Sequence, residues 1–187
     1  MTTQQAQTIN GIAPSELQEL IDAVSQDASQ GQLVFQATTS WVDGARSVTH
    51  VKSFERAGQS YARDFSWTID EPEELGGTNM GPNPQEVLLS ALNACILATF
   101  VDLCSMQAIE LEKVEISSIG KLDLRGFLKL DETVPPGYQD LHWKLTVKGN
   151  ATPEQFQQVY EAAISASPNL WNLANPVPIR PELQVEG

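Results

Sequence analysis

Positive charge is what this chain has least of. Against 24 Asp and Glu it carries 11 Lys and Arg, a formal net charge of −13. Such a surface repels phosphate backbones and anionic lipid, which argues against nucleic acid and membrane surfaces as partners. Histidine and cysteine are scarce too, with two of each. His50 and His142 stand far apart, and no Cys/His cluster has zinc spacing, so no metal is expected. No Walker or dinucleotide glycine motif is present, so no nucleotide cofactor is expected either. No internal repeat stands out. The N-terminus lacks the charged segment and apolar run of a secretory signal, and two cysteines without such a signal point to a reducing cytoplasm.

What the sequence does have is one long apolar segment inside 187 residues, enough for one domain with a sizeable core. It lies in the stretch Asp70 to Ser105, DEPEELGGTNMGPNPQEVLLSALNACILATFVDLCS. Asn83 is placed to cap a helix, Pro84 fits the first helical position, and Glu86 completes a capping box. From Val87 to Leu103 the segment is apolar on nearly every side, broken mainly by Ser90, Asn93, Thr99 and Asp102. A helix apolar all round is buried all round. It reads as too short and too polar-spotted for a good membrane span, hence as the central helix of a soluble fold.

The rest of the chain brackets that helix. Met1 to Asn10 is polar and expected to be mobile. Ser15 to about Ser29 reads as a helix with Ser15 as cap and Gly31 as stop. Gln32–Val42 and Ser47–Phe54 read as strands joined across Asp43-Gly44. Ala57-Gly58-Gln59 is a turn, and Tyr61–Ile69 alternates as a third strand. Beyond the central helix, Glu112–Leu130 is strand-like, with Gly120 and Gly126 as bends or bulges. Leu141 to Lys148 alternates as a half-buried strand. Thr152-Pro153-Glu154-Gln155 opens a second long helix that Pro168 ends near Ser167. The tail from Asn175 has a short strand expected around Ile179. This is an α+β order: a flexible segment and helix over 1–31, then one domain over 32–187.

For chemistry, Cys95 in the middle of the central helix is the first candidate. A buried cysteine commonly behaves as a small hydrophobe. Mid-helix it gains little from the helix dipole, so a reactive thiolate needs a cation from another element. Arg46, Arg56, Arg63 and Arg125 can supply one, and a surface salt-bridging role is the plainer reading of each. Cys104, nine residues on, lies roughly 13 Å along the axis on the opposite face, too far for a disulfide unless the helix breaks. Glu73 and Glu74 precede Gly76-Gly77, twin glycines that imply a tight turn or a close approach.

The segment Asp70 to Ile96 resembles the OsmC/Ohr family, the osmotically inducible protein C and organic hydroperoxide resistance proteins. Gly120 to Leu141, the helix ending in Ser167-Pro168, Asn10-Gly11-Ile12 and the SWVDGARS segment around Arg46 fit the same pattern. The resemblance implies an intertwined homodimer, with antiparallel sheets wrapped around buried central helices. It implies a thiol peroxidase for organic hydroperoxides in oxidative stress defence. Cys95 matches the peroxidatic cysteine and Glu74 the acid of the E-L-G-G segment. Arg46 is the best match for the thiolate's arginine, with Arg63 as the fallback. Where the family has a resolving cysteine, this chain has Ser167. The implied cycle therefore runs on one cysteine with an external thiol or dithiol reductant. The missing cysteine favours the alternative, a redox-sensing or small-molecule-binding dimer without turnover. A purely structural oligomer with an inert Cys95 is the third reading.

Overall fold

The computed structural model describes residues 7–187. Among these residues six strands and five helices make up the expected α+β class, with more elements than the sequence predicts. They are α1 (Pro14–Gln26), β1 (Leu33–Phe35), β2 (Thr38–Asp43), β3 (Arg46–Arg56), β4 (Gln59–Ile69), α2 (Pro84–Met106), β5 (Leu111–Lys121), α3 (Leu124–Phe127), β6 (Asp140–Gly149), α4 (Pro153–Ala166) and α5 (Pro168–Ala174).

The first sheet is built on β3. β4 runs antiparallel along one edge, and β1 and β2 share the other. The strand expected over Gln32–Val42 is thus two pieces. Phe35 faces Phe54 and Thr38 faces His50, so Gln36 and Ala37 stand against three residues of β3, Val51 to Ser53. The β3–β4 register shifts at the same level, where Arg63 and Asp64 of β4 stand against Lys52 of β3, a bulge in β4. Asp43 pairs with Arg46 across the Gly44 turn, and the next turn holds Ala57 and Gly58 at positive φ. Phe35, Phe54 and Tyr61 stack in a row across this sheet, and Trp41, Phe65 and Trp67 lie further along its strands. Phe35 and Trp41 are each 74% exposed, so a single chain leaves these aromatic residues largely uncovered.

α2 starts as the sequence predicts. Glu86 N–H donates to Asn83 Oδ1 and Asn83 N–H to Glu86 Oε2, both at 2.8 Å. At 23 residues it is long and apolar enough to cross a membrane by length and composition, which corrects the expectation that it is too short. What it does in the chain is pack. Leu92, Ile96, Phe100 and Cys104 are buried, and Phe100 and Cys104 join Ile109, Val159 and Ala163 in a core between α2, α4 and β5. Each large apolar side chain buried there contributes roughly 1.5–3 kcal/mol. The opposite face, with Leu88, Ala91, Ala94 and Ala98, is exposed.

Several local expectations are corrected. Ala13, not Ser15, occupies the N-cap position of α1, without a side-chain hydrogen bond and with Pro14 in the first turn, and the helix ends at Gln26; a separate turn over 28–31 is capped by Asp27. β5 ends at Lys121, because Asp123 accepts from Arg125 N–H and starts the short α3. Gly120 is no bulge; it pairs with Leu141, and a Cβ there would lie 2.4 Å from the Tyr138 ring. Gly126 sits inside α3. α5 was not expected, and no strand forms around Ile179. Of the polar N-terminal stretch, residues 1–6 lie outside the described residues. Asn10 is not loose: its amide donates to Ser105 Oγ (3.1 Å) and Ile109 O (2.8 Å) and accepts from Leu111 N–H (2.8 Å).

The loop from Asp70 to Pro82 closes around one buried carboxylate. Asp70 accepts from Thr78 Oγ1 (2.6 Å) and from the N–H groups of Thr78, Met80 and Glu71. The twin glycines answer both demands: Gly76 has φ +84°, and a Cβ on Gly77 would lie 1.8 Å from Glu71 O. The Thr78 hydroxyl above all, then the backbone donors against the opposing effect of burial, holds the Asp70 carboxyl below its ordinary range. A depressed carboxyl stabilises the fold above its unfolded pKa, and that contribution is lost as pH falls through the folded value. Asp70→Asn is therefore expected to lower the urea midpoint at pH 7 and to shrink the further loss between pH 5 and pH 3. Parallel acid profiles of the two proteins would show that this carboxylate does not organise the loop.

Candidate functional site

Cys95 sits mid-way along α2, half-buried at the border between the packed and open faces. Among the described residues its sulfur has one hydrogen-bond partner, Ser167, whose Oγ lies 3.4 Å from Sγ. Local sequence explains how a residue 72 positions away arrives there. Pro168 forbids α4 from continuing and at the same time starts α5. Ser167 is the junction. Its N–H donates to Ile164 O (3.3 Å), ending α4, and its Oγ accepts from Leu170 N–H (3.3 Å), capping α5. Asn169 Nδ2 then donates to Ala91 O (2.9 Å), pinning this junction to α2 one turn before the cysteine. Ser167 is 1% exposed. On the other side, Thr99 Oγ1 donates to Cys95 O at 3.0 Å, and Ser118 bonds to Asn93.

The two cysteines are free and unlike. Cys104 is fully buried in the core, and desolvation pushes its thiol up to about 11. The thiol thus stays protonated and shielded at neutral pH, while Cys95 is partly accessible.

The other predicted site residues lie on separate elements. Arg46 is the half-buried first residue of β3. Glu74 is exposed in the turn over Glu73–Leu75. Arg63, on β4, lies with its guanidinium 4.7 Å over the Phe65 ring and 5.8 Å from that of Phe54. Among the described residues none of the three forms an ion pair. The elements packed substantially on α2 are α1, α4, α5 and β5, not those bearing the two arginines. A single chain therefore gives Cys95 a hydroxyl neighbour. In the glutamate-rich loop it is Glu71 whose Oε2 is buried without a hydrogen-bond partner, a feature no pattern in the sequence signals. A groove of about 680 Å³ between β6 and α4, floored by Phe100, Trp143, Phe156 and Tyr160, does not include Cys95.

Titration with an aromatic disulfide reagent tests the contrast between the thiols. One thiol per chain is expected to react quickly in the folded protein, and that phase disappears in Cys95→Ser. The second thiol should react only after denaturation. A fast phase surviving in Cys95→Ser would contradict the burial assigned to Cys104.

Among curated proteins no sequence matches this chain. Solved structures do match its fold. An OsmC-like protein from Mycoplasma pneumoniae aligns over 75% of this chain and 86% of its own, at 16% identity and a TM-score of 0.58. A hypothetical protein from Aquifex aeolicus aligns over 75% and 87%, at 15% identity and a TM-score of 0.54. The family model for OsmC-like protein matches residues 77–182, from the glycine turn before α2 to the tail after α5. That span takes in α2, Cys95 and the Ser167 junction, and the chain belongs to the OsmC-like family.

Proposed function

We propose that this protein is a thiol-dependent peroxidase that reduces organic hydroperoxides through Cys95, in defence against oxidative stress. The observation that carries the reading is the partly accessible Cys95 sulfur held against a buried hydroxyl, set beside an inert second thiol. The Cys95 thiolate attacks one peroxide oxygen and the O–O bond breaks. The sulfur loses two electrons and becomes a sulfenic acid, and the alkoxide takes a proton and leaves as the alcohol. Because position 167 is serine, an external thiol attacks the sulfenic sulfur, forming a mixed disulfide and releasing water. A second thiol frees Cys95 and leaves as the external disulfide. A reducing cytoplasm would supply both thiols.

The reading requires a second copy of the chain. The open face of α2 and the exposed aromatic residues of the first sheet are apolar surfaces that one chain leaves in water. A homodimer covering them would bring the partner copy's sheet toward α2, and with it an arginine. In that arrangement Arg46, or Arg63, pairs with the thiolate and stabilises the leaving alkoxide, and Glu74 orients the guanidinium. Sedimentation is expected to give twice the 20.5 kDa chain mass at micromolar concentration. A monodisperse single chain would remove the basis for an arginine supplied from outside α2's own neighbours.

Ser167 also supports a second reading, a redox sensor that stops at the sulfenic acid. Consumption of cumene hydroperoxide under a dithiol reductant separates the two. Many turnovers per chain, abolished in Cys95→Ser, are expected for the peroxidase. One equivalent consumed per chain would instead make the protein a sensor.

A further inference from the structure

We infer that Ser167 is a catalytic residue of the Cys95 site, its hydroxyl being the fixed donor that keeps the sulfur oriented and reactive. The inference rests on reading Cys95 as the reacting atom, and it goes beyond Ser167 as a merely missing cysteine.

A serine hydroxyl has one proton to donate. Ser167 Oγ receives the Leu170 N–H, and among the described residues the only acceptor for its own proton is Cys95 Sγ at 3.4 Å. The side chain is 1% exposed, so water does not replace that acceptor. The donor is also immobile. Its backbone N–H is tied to Ile164 O, its Oγ to the first turn of α5, and Asn169, two residues on, to Ala91 of α2. A donor held in place before the charge develops stabilises that charge without reorganisation. A hydrogen bond to an ionised acceptor is roughly twice as strong as one between neutral groups, so the hydroxyl favours the nucleophilic form of the sulfur. The same proton then faces the oxidised sulfur, where a cysteine would have closed a disulfide. The serine thus keeps the sulfenic acid open to an outside thiol and supports it meanwhile.

The test uses iodoacetamide, which reports the nucleophilicity of Cys95 and needs no peroxide turnover. At fixed neutral pH, Ser167→Ala is expected to slow alkylation of Cys95 about tenfold, the scale of one hydrogen bond to a charged group. Ser167→Thr, which keeps the hydroxyl, should recover most of the rate. Ser167→Asp keeps an N-cap for α5 but brings no donor, and it should remain slow. Wild-type rates in Ser167→Ala, or recovery in Ser167→Asp, would assign the serine to helix capping alone and overturn the inference. Ser167→Cys tests the contact even if the alanine variant folds poorly. On mild oxidation it is expected to form an intramolecular disulfide with Cys95, read as a mass loss of two hydrogens; no disulfide would mean that the two side chains do not meet. Serine-dependent alkylation without peroxide turnover would sink the peroxidase reading and leave this one standing.

Discussion

α2 carries more apolar surface than one chain covers, and the rest of the structure is arranged around that imbalance. One side of the helix is closed by α4, α5 and β5 over Leu92, Ile96, Phe100 and Cys104. The other side, lined by small residues and Leu88, stays open. The first sheet has the matching problem, with large aromatic residues exposed. Two uncovered apolar surfaces in one small protein are a large free-energy reason to assemble. The placement of Cys95 at the edge of the open side follows from the same geometry. There it is shielded enough to be held by neighbours and open enough to meet a reactant.

The site is a meeting of ends rather than a pocket. α4 stops, α5 starts, and one serine serves both events while touching the sulfur. Such a junction is stiff, because each of its polar groups is already used. The loop before α2 is stiff for a comparable reason, with the Asp70 carboxylate collecting four donors. The first device meets α2 near its middle and the second leads into its start, each through hydrogen bonds.

Local chemistry was legible in the sequence, and contacts between distant residues were not. The capping boxes at Asn83 and Thr152 were readable, since each lies within four residues and its proline marks the first turn. The family pattern was readable on Asp70 to Ile96 for the same reason. Pro168 was read as the end of α4, although it is equally the beginning of α5, because one proline carries both meanings. The strand-like stretch over Glu112–Leu130 runs past the real end of β5, because Asp123 caps a helical turn there and outweighs the hydrophobic pattern. The break between β1 and β2 answers a register mismatch with β3, which the broken segment itself does not encode. Asn10 holds the far end of α2 across about a hundred residues, and Ser167 reaches Cys95 across 72. No periodicity reports such pairs.

The sealing of Cys104 limits how the protein can be joined to anything else. Only one sulfur per chain is open to exchange, so each chain is monovalent toward disulfide partners. An oxidised population can form mixed pairs one to one, with small thiols or with another chain. With no second point of attachment, each chain ends any disulfide link that it enters for as long as the core stays folded.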